Sequence, residues 1–194
     1  GTVTEFDMFL WHAIEDFPDK KSYIAMEFAP LEDDRDRFGQ WIFVILAARN
    51  LNNFEQIADS LCVSQVPEII CAYEMEVWKD IGIVLTERGE LERLYALGLQ
   101  SADYIADRLN NEVVYKYIED VWDVFFVGVH NAELTQQAAD LMNKYNQIAD
   151  KIPGNGYIAT WCAENYARLI VLWLRRNDYR AAANCWKQMM KVQQ

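Results

Sequence analysis

The sequence predicts an all-α fold, an α-solenoid of about four degenerate helix-turn-helix hairpins plus extra helices. Three observations predict it. Apolar residues recur at the spacing of one helix face, Gly (8) and Pro (4) are scarce among 194 residues, and one hairpin pattern returns along the chain. With 52% hydrophobic and 25% charged residues, the composition is typical of a globular protein.

The carboxy-terminal hairpin shows the pattern most clearly. Its first helix has apolar residues at i, i+3, i+4 and i+7, namely Tyr166, Leu169, Ile170 and Trp173. After the polar stretch "RRND", a second helix restarts the spacing with Tyr179, Ala182, Trp186 and Met189. We expect Ala182, Trp186 and Met189 to face inward, with the small Ala182 where the two helices cross.

The same pattern occurs three times earlier in the chain. Each copy begins with an aromatic residue, and the positions Trp41, Trp78, Trp122 and Tyr166 are separated by 37, 44 and 44 residues. The two helices of the earlier copies are separated by "NLNN", by Gly89 and by "HNAELT". Copies at this period predict hairpins that each bury an apolar face on their neighbours.

The second copy has a residue pattern that resembles a known repeat. The run Trp78-x-x-Ile81-Gly82-x-x-Leu85-x-x-x-Gly89 resembles the first helix of the tetratricopeptide repeat. The carboxy-terminal hairpin is similar to the second helix of that repeat and to the pentatricopeptide repeat. The resemblance implies a right-handed α-solenoid of the tetratricopeptide or HEAT type that binds a partner.

The remaining segments are also predicted to be helical. Thr4-x-x-Asp7 resembles a capping box before a helix that ends at Pro18. Pro67 suits the first turn of the second copy, and Ser101 is a candidate cap for an added helix. For "WIFVILAA" and "FFVGV" the alternative is a buried strand, because both are rich in β-branched and aromatic residues.

We expect a single domain over residues 1–194, itself a piece of a larger protein. Amino-terminal helices and an acidic loop are predicted in 1–39, and the hairpin array in 40–194. The acidic loop, Ala29–Gly39, is the predicted internal boundary, and Ile152–Gly156 is the sharpest loop signal.

The charge of the chain is asymmetric. The net charge is −12, but residues 164–194 carry six basic and two acidic side chains, so this segment is +4 and the first 163 residues are −16. An acidic chain repels polyphosphate on average, which disfavours nucleic-acid binding. The basic carboxy-terminal segment is where we expect an acidic partner to bind.

The sequence contains no set of residues with the spacing of a catalytic or metal site. His12 and His130 each lack a second His or Cys at ligand spacing. "GNG" at 154–156 lacks the Lys-Ser/Thr of a phosphate-binding loop. The acidic run Glu32, Asp33, Asp34 and Asp36 is consecutive, which favours a solvated loop. We therefore predict no catalytic residue, no metal, no cofactor and no enzyme activity for this domain.

The cysteines predict a reducing environment. Cys62, Cys71, Cys162 and Cys185 form no C-x-x-C pair, and no N-x-S/T site occurs. A disulfide between Cys162 and Cys185 is the disfavoured alternative. The longest apolar runs have eight residues, whereas a membrane span needs about 20. We expect an intracellular protein, in the cytoplasm or the nucleus, without a membrane partner.

The candidate partner-binding residues lie near the carboxy terminus. Five cations are predicted to form a discontinuous surface patch: Arg175, Arg176, Arg180, Lys187 and Lys191. Tyr157 and Trp161, beside the last loop, are the aromatic residues most free to be exposed and to contact a partner. The other tryptophans named by the repeat are assigned to the interior: Trp41, Trp78, Trp122, Trp173 and Trp186.

The leading functional interpretation is a non-catalytic protein–protein interaction scaffold in a larger multi-subunit or multi-domain protein, with an acidic protein or peptide as partner. One alternative is an RNA-associated helical-repeat domain of an RNA-processing factor that uses the basic hairpin. Another is a self-association module, in which the basic end of one copy meets the acidic part of a second.

Overall fold

The computed structural model describes residues 54–63, 68–152, 154 and 156–192. Several predictions fall on residues 1–53 or on Pro67, and these lie outside the described residues. They are the capping box, the acidic loop with its domain boundary, His12, the first helix of the copy led by Trp41 and the strand alternative for "WIFVILAA".

The described residues form an all-α structure, which confirms the all-α part of the predicted fold class. The helices are α1 (Phe54–Val63), α2 (Glu68–Glu87), α3 (Leu91–Ala106), α4 (Glu112–Tyr115), α5 (Ile118–Asn131), α6 (Thr135–Ala149), α7 (Gly156–Arg175) and α8 (Tyr179–Val192). The strand alternative for "FFVGV" is wrong, because those residues lie in the middle of α5 and are mostly buried there at helical spacing. None of the described helices is both long and apolar enough to cross a bilayer.

The chain divides into two compact units, residues 1–81 and 82–194. In the first unit, α1 buries four residues at offsets of 0, 3, 4 and 7, namely Phe54, Ile57, Ala58 and Leu61. Trp78 and Ile81, on the α2 segment of this unit, are fully buried as well. The amphipathic spacing read from the sequence therefore describes the packing of this unit.

In the second unit, α5 lies parallel to the end of α2. Gly82 approaches Val124, and four residues further along Gly128 approaches Thr86. A Cβ on Gly82 would lie 2.7 Å from a Val124 methyl carbon, and one on Gly128 would lie 2.6 Å from the Thr86 hydroxyl oxygen. Both glycines are therefore required for the close packing of these helices.

The helices α3 and α6 also lie parallel and pack directly against each other. We refer to this closed contact as the α3–α6 seam. Two side-chain pairs bridge it: the Tyr95 hydroxyl donates to Asp140 Oδ2 at 3.0 Å, and Lys144 Nζ lies 2.6 Å from Asp103 Oδ1. Between these bridges, Gly98 faces Leu141, and a Cβ on Gly98 would lie 3.0 Å from Leu141 Cδ2. The absent side chain lets α3 approach α6 closely.

An aromatic cluster joins α5, α6 and α7. Trp122 stacks on Tyr145 with ring centroids 4.6 Å apart, and the Trp161 ring lies 5.9 Å from each of them. Phe126 meets Trp161 edge to face at 6.0 Å, and Trp161 Nε1 donates to Asp123 Oδ1 at 3.0 Å. This cluster is the core of the second unit, and it fixes the position of α7.

Three turns of the chain share one geometry. Gly89, Glu133 and Asn177 have φ values of 68°, 58° and 57°. The backbone N–H that follows each of them donates to the carbonyl five residues earlier, in the pairs Glu90 to Leu85, Leu134 to Val129 and Asp178 to Trp173. These positions are spaced by 44 and 44 residues, as are the buried aromatics Trp78, Trp122 and Tyr166. The predicted breaks after α2, α5 and α7 are therefore confirmed as helix-ending turns of one type.

One helix boundary was predicted wrongly. Ser101 does not cap an added helix but lies inside α3, where it is buried and its hydroxyl donates to the Gly98 carbonyl at 2.7 Å. A serine that satisfies its hydroxyl on the preceding turn continues a helix without a break. The extra length of this copy comes instead from the one-turn helix α4, which Asn111 caps by accepting from the Val113 N–H at 3.0 Å.

Candidate functional site

A groove lies between α6 and α8, and residues of α7 form its floor. We refer to it as the α6–α8 groove. Its volume is about 720 Å³, and its described lining comes from these three helices. Within the described residues, α8 packs extensively against α7 and has no comparable packing against α6. The two parallel helices α6 and α8 are therefore separated by an open space.

The floor of the groove is aromatic and rigidly held. Tyr166 is buried, and its hydroxyl is 3.3 Å from the Met142 carbonyl oxygen and 3.4 Å from Asn143 Oδ1. Trp173 is 8% exposed, and the Arg176 guanidinium lies 5.6 Å from its ring centroid. Burial raises the pKa of Tyr166, so its hydroxyl remains a neutral hydrogen-bond donor at physiological pH.

The walls combine apolar, amide and cationic side chains. The apolar members are Trp186, which is 55% exposed, and Met190, which is 39% exposed. The amides are Gln136 and Asn143 from α6 and Asn184 and Gln188 from α8. The cations are Lys187 and Lys191, and no carboxylate occurs among the described lining residues. The described lining is therefore positively charged, whereas the chain as a whole has a net charge of −12.

The groove and the closed α3–α6 seam differ at positions 44 residues apart. Counting 44 residues onward from the seam, Ala139 stands where the seam has Tyr95, and Asn184 stands where it has Asp140. By the same count, Asp103 and Lys144 correspond to Gln147 and Gln188, and Gly98 and Leu141 correspond to Met142 and Cys185. The tyrosine–aspartate bond, the ion pair and the glycine of the closed seam therefore have no counterpart at these positions.

The five predicted cations occupy two places. Lys187 and Lys191 line the groove. The other three, Arg175, Arg176 and Arg180, are exposed at the turn between α7 and α8 or just after it. Arg175 lies 3.9 Å from Glu133, with both side chains more than two-thirds exposed, so this pair contributes little to stability.

The aromatic predictions are partly corrected. Tyr157 is 84% exposed, as expected. Trp161 is only 5% exposed and belongs to the aromatic core, so the expectation that it is free to be exposed is wrong. The inward placement of Trp186 is also wrong: Ala182, Cys185 and Met189 form the buried face of α8, and Trp186 lies beside it on the helix surface. The seven-residue spacing of Ala182 and Met189 is compatible with either Cys185 or Trp186 between them, so the sequence left this choice open.

The groove contains no activated nucleophile among its described residues. Burial raises the pKa of the Cys185 thiol, although a hydrogen bond with Trp173 acts in the opposite direction. Behind the groove, burial and the nearby Asp150 carboxylate raise the pKa of Cys162 to about 12. Both thiols are free, and at neutral pH they are protonated, which makes them poor nucleophiles. They act as small apolar side chains in the packing of α7 and α8.

The remaining polar residue of interest, His130, lies in the last turn of α5. Its Nδ1 is 3.2 Å from Asn131 Oδ1, and its ring lies 5.5 Å from Phe126. No three His, Cys, Asp or Glu side chains converge as a candidate metal site within the part of the chain that the structure describes. Comparisons with protein-family models, curated proteins and solved structures give no match for this chain.

Proposed function

We propose that this chain is a non-catalytic protein-interaction module of a larger intracellular assembly, which holds a segment of a partner protein in the α6–α8 groove. The observation that carries the proposal is the groove itself. It is about 720 Å³ in volume, has a buried aromatic floor and presents an exposed tryptophan and two lysines at its wall. Concave surfaces with aromatic anchors and a polar rim are typical of binding sites for protein segments.

The proposed architecture is an α-solenoid of degenerate hairpins of the tetratricopeptide or HEAT type. Its support is the shared geometry of the turns at Gly89, Glu133 and Asn177, each 44 residues after the last. The parallel pairs α2 with α5 and α3 with α6 also agree with successive hairpins that stack in the same orientation. In such an array, the second helix of each hairpin lies beside the second helix of the next hairpin. The contact between two such helices therefore recurs along the molecule.

The absence of catalysis is part of the proposal. Its physical support is the state of the two thiols nearest the groove, Cys162 and Cys185, whose pKa values are both raised by burial. The intracellular location is supported by the same cysteines, because both are unpaired thiols.

The test places a photo-reactive amino acid at position 186, which lines the groove, and in a matched variant at position 112, an exposed residue of α4. The full-length chain is cross-linked in its own cells, and the adducts are identified by mass spectrometry. We expect a protein adduct from position 186 that is missing from position 112. The same protein from both positions, or none from position 186, would contradict the proposal.

The same adducts decide between the proposal and its two rivals. RNA linked at position 186, in amounts that fall steeply with salt, would replace the proposal with RNA association. A link between two copies of the chain would replace it with self-association. Turnover of a substrate by the purified chain would exclude a purely non-catalytic role.

The arginines at the end of the groove give a second test. Changing Arg175, Arg176 and Arg180 together to Glu is expected to lower the association rate of the partner identified above, because exposed charges at a rim mainly steer encounters. The thermal midpoint is expected to stay within a few degrees, since all three side chains are exposed. Loss of folding in the triple variant would instead assign these arginines a structural role.

A further inference from the structure

We infer that the α6–α8 groove takes an extended, acidic peptide segment, bound by its backbone as well as its side chains. This inference rests on the proposed function and names the class of partner. Three properties of the groove carry it: its charge, its amide side chains and its length.

The charge of the groove selects an acidic ligand. Lys187 and Lys191 lie one helical turn apart on α8 and both line the groove. Neither forms an ion pair with a described residue, and no carboxylate is among the described lining residues. A ligand carboxylate would therefore meet two ammonium groups that no described residue of the chain neutralises.

The amide side chains select an extended ligand rather than a helical one. Asn184 and Gln188 on α8 face Gln136 and Asn143 on α6 across the groove. An amide carries donors and an acceptor, which match the free N–H and C=O groups of an extended backbone. A bound helix would have no such groups to offer along its length, because it pairs them internally. The four amides that line the groove can therefore form hydrogen bonds with the backbone of an extended segment.

Two of these amides are already oriented. Gln136 Nε2 donates to Asp140 Oδ1 at 3.0 Å, which leaves the Gln136 carbonyl oxygen to accept from a ligand. Asn143 Oδ1 lies 3.4 Å from the Tyr166 hydroxyl, which leaves the Asn143 amide N–H groups to donate. The α6 wall thus offers both an acceptor and a donor to a passing backbone.

The length of the groove sets the size of the ligand. Its α8 wall runs from Ala181 to Lys191. Ten helical rises cover about 15 Å, and an extended chain needs about five residues for that distance. The exposed indole of Trp186 and the exposed thioether side chain of Met190 provide the apolar contact for one or two of these residues.

The experiment selects ligands without assuming a sequence. Random twelve-residue peptides displayed on phage are panned against the immobilised chain, and the enriched peptides are labelled with fluorescein for polarisation titrations at about 50 and about 300 mM salt. We expect enriched peptides with net negative charge and affinities that fall with salt. Enrichment of neutral or basic peptides, or no enrichment at all, would overturn the inference.

The first pair of variants tests the charge. Lys187→Glu with Lys191→Glu is expected to weaken binding of the enriched peptide roughly tenfold at low salt and less at high salt. The matched control, Lys116→Glu with Lys151→Glu, changes two exposed lysines outside the groove lining and is expected to leave affinity within about twofold. Equal losses in both pairs would mean that only the overall charge matters, and the assignment to the groove would fail.

The second pair tests the backbone contacts. Asn143→Leu with Asn184→Leu keeps the side-chain size and removes the amides, and it is expected to weaken binding about tenfold. The control, Asn110→Leu with Gln137→Leu, alters two amides outside the groove lining. Unchanged or tighter binding in the first variant, together with helical circular dichroism of the bound peptide, would show a docked helix and overturn the inference. The cross-linking at position 186 is independent of these measurements, so a protein adduct there combined with failed peptide predictions would retain the proposed function alone.

Discussion

The α3–α6 seam and the α6–α8 groove lie 44 residues apart in the chain, and the first is closed whereas the second is open. In the first, Tyr95 bonds to Asp140, Lys144 pairs with Asp103, and Gly98 lets the helices come together. In the second, 44 residues onward, these positions hold residues that cannot form either bridge, and the helices stay apart.

The two junctions differ in the side chains that lie between their helices. The turns that lead into α3, α6 and α8 have the same geometry. The turns therefore do not distinguish the closed seam from the open groove, whereas the bridging side chains of α3 and α6 do. A closed seam stabilises the unit, and an open one leaves apolar and polar groups available to a ligand.

The largest expected effect breaks the closed seam. Gly98→Met gives α3 the residue that α6 carries at the equivalent position, Met142. A Cβ at position 98 would already lie 3.0 Å from Leu141 Cδ2 and 3.2 Å from Phe125 Cβ. We expect a loss of about 2 kcal/mol in the free energy of unfolding, measured by urea titration. Ala96→Met, on the exposed side of α3, is the control and is expected to be nearly neutral. Full stability of the Gly98 variant would show that this seam does not depend on close approach.

A second change closes the open groove. Ala139→Tyr with Asn184→Asp rebuilds, in the α6–α8 junction, the tyrosine–aspartate bridge of the first seam. We expect the phage-selected peptide to lose at least tenfold in affinity, because the new ring occupies the groove and the new carboxylate repels an acidic ligand. The thermal midpoint, from differential scanning calorimetry, is expected to stay the same or rise. Undiminished peptide binding would place the ligand outside this groove.

A third change removes one bridge of the closed seam. Tyr95→Phe deletes the hydroxyl that bonds to Asp140, while the bond from Gln136 to the same carboxylate remains. The expected loss is about 1 kcal/mol, the usual net value of such a bond. Tyr179→Phe is the matched control, since that tyrosine is 67% exposed and its hydroxyl is 3.4 Å from Asn177. Equal midpoints of urea unfolding for both variants would mean that the bridge does not hold the seam together.

The smallest expected change in stability concerns Glu119, which lies near three other carboxylates of the second unit. The pKa of Glu119 is raised above its ordinary value of 4.5, first by burial and then by Asp120, Asp123 and Glu164. Ionised Glu119 is therefore disfavoured in the folded state, and Glu119→Gln is expected to be slightly more stable at pH 7, by less than about 0.5 kcal/mol. The difference in stability between this variant and the unchanged chain should shrink as the pH falls through the raised pKa of Glu119. It should vanish below the ordinary pKa of 4.5, where the carboxyl becomes neutral in both the folded and the unfolded state. Thermal melts at pH 7 and pH 4 measure it, and a gap that grows with acidity would contradict the raised pKa.

The sequence predicted the helices well because their apolar spacing and the turn residues agree. Gly89, "HNAELT" and "RRND" marked the three turns of this type, and the buried aromatics Trp78, Trp122 and Tyr166 marked the first helices. Ser101 misled because a small polar residue is compatible both with a cap and with a helix interior, and only tertiary burial decides between them.

The site was harder to predict, for a different physical reason. The basic carboxy-terminal hairpin was identified, and two of its lysines line the groove. The α6 wall of the groove was not predicted, because Gln136 and Asn143 belong to no sequence motif. Only the tertiary structure shows that they lie across the groove from α8. Trp186 was misplaced because helical spacing locates a face only to within one residue. Trp161 was misplaced because it lies close to a loop in sequence, while its burial comes from contacts with α5 and α6. Subtracting 44 from the positions of α6 and α8 was the available signal, because Ala139 and Asn184 then align with Tyr95 and Asp140.

The one-sided packing of α8 has a consequence for hydrogen exchange. Every other long helix of the second unit is held between neighbours, whereas α8 is anchored extensively only on α7 among the described residues. Amide protons of α8 should therefore exchange through local opening at a lower free energy than those of α5 or α6, without unfolding of the aromatic cluster. A ligand that bridges α6 and α8 would slow this exchange selectively, and the protection pattern along Tyr179–Val192 would report occupancy of the groove residue by residue.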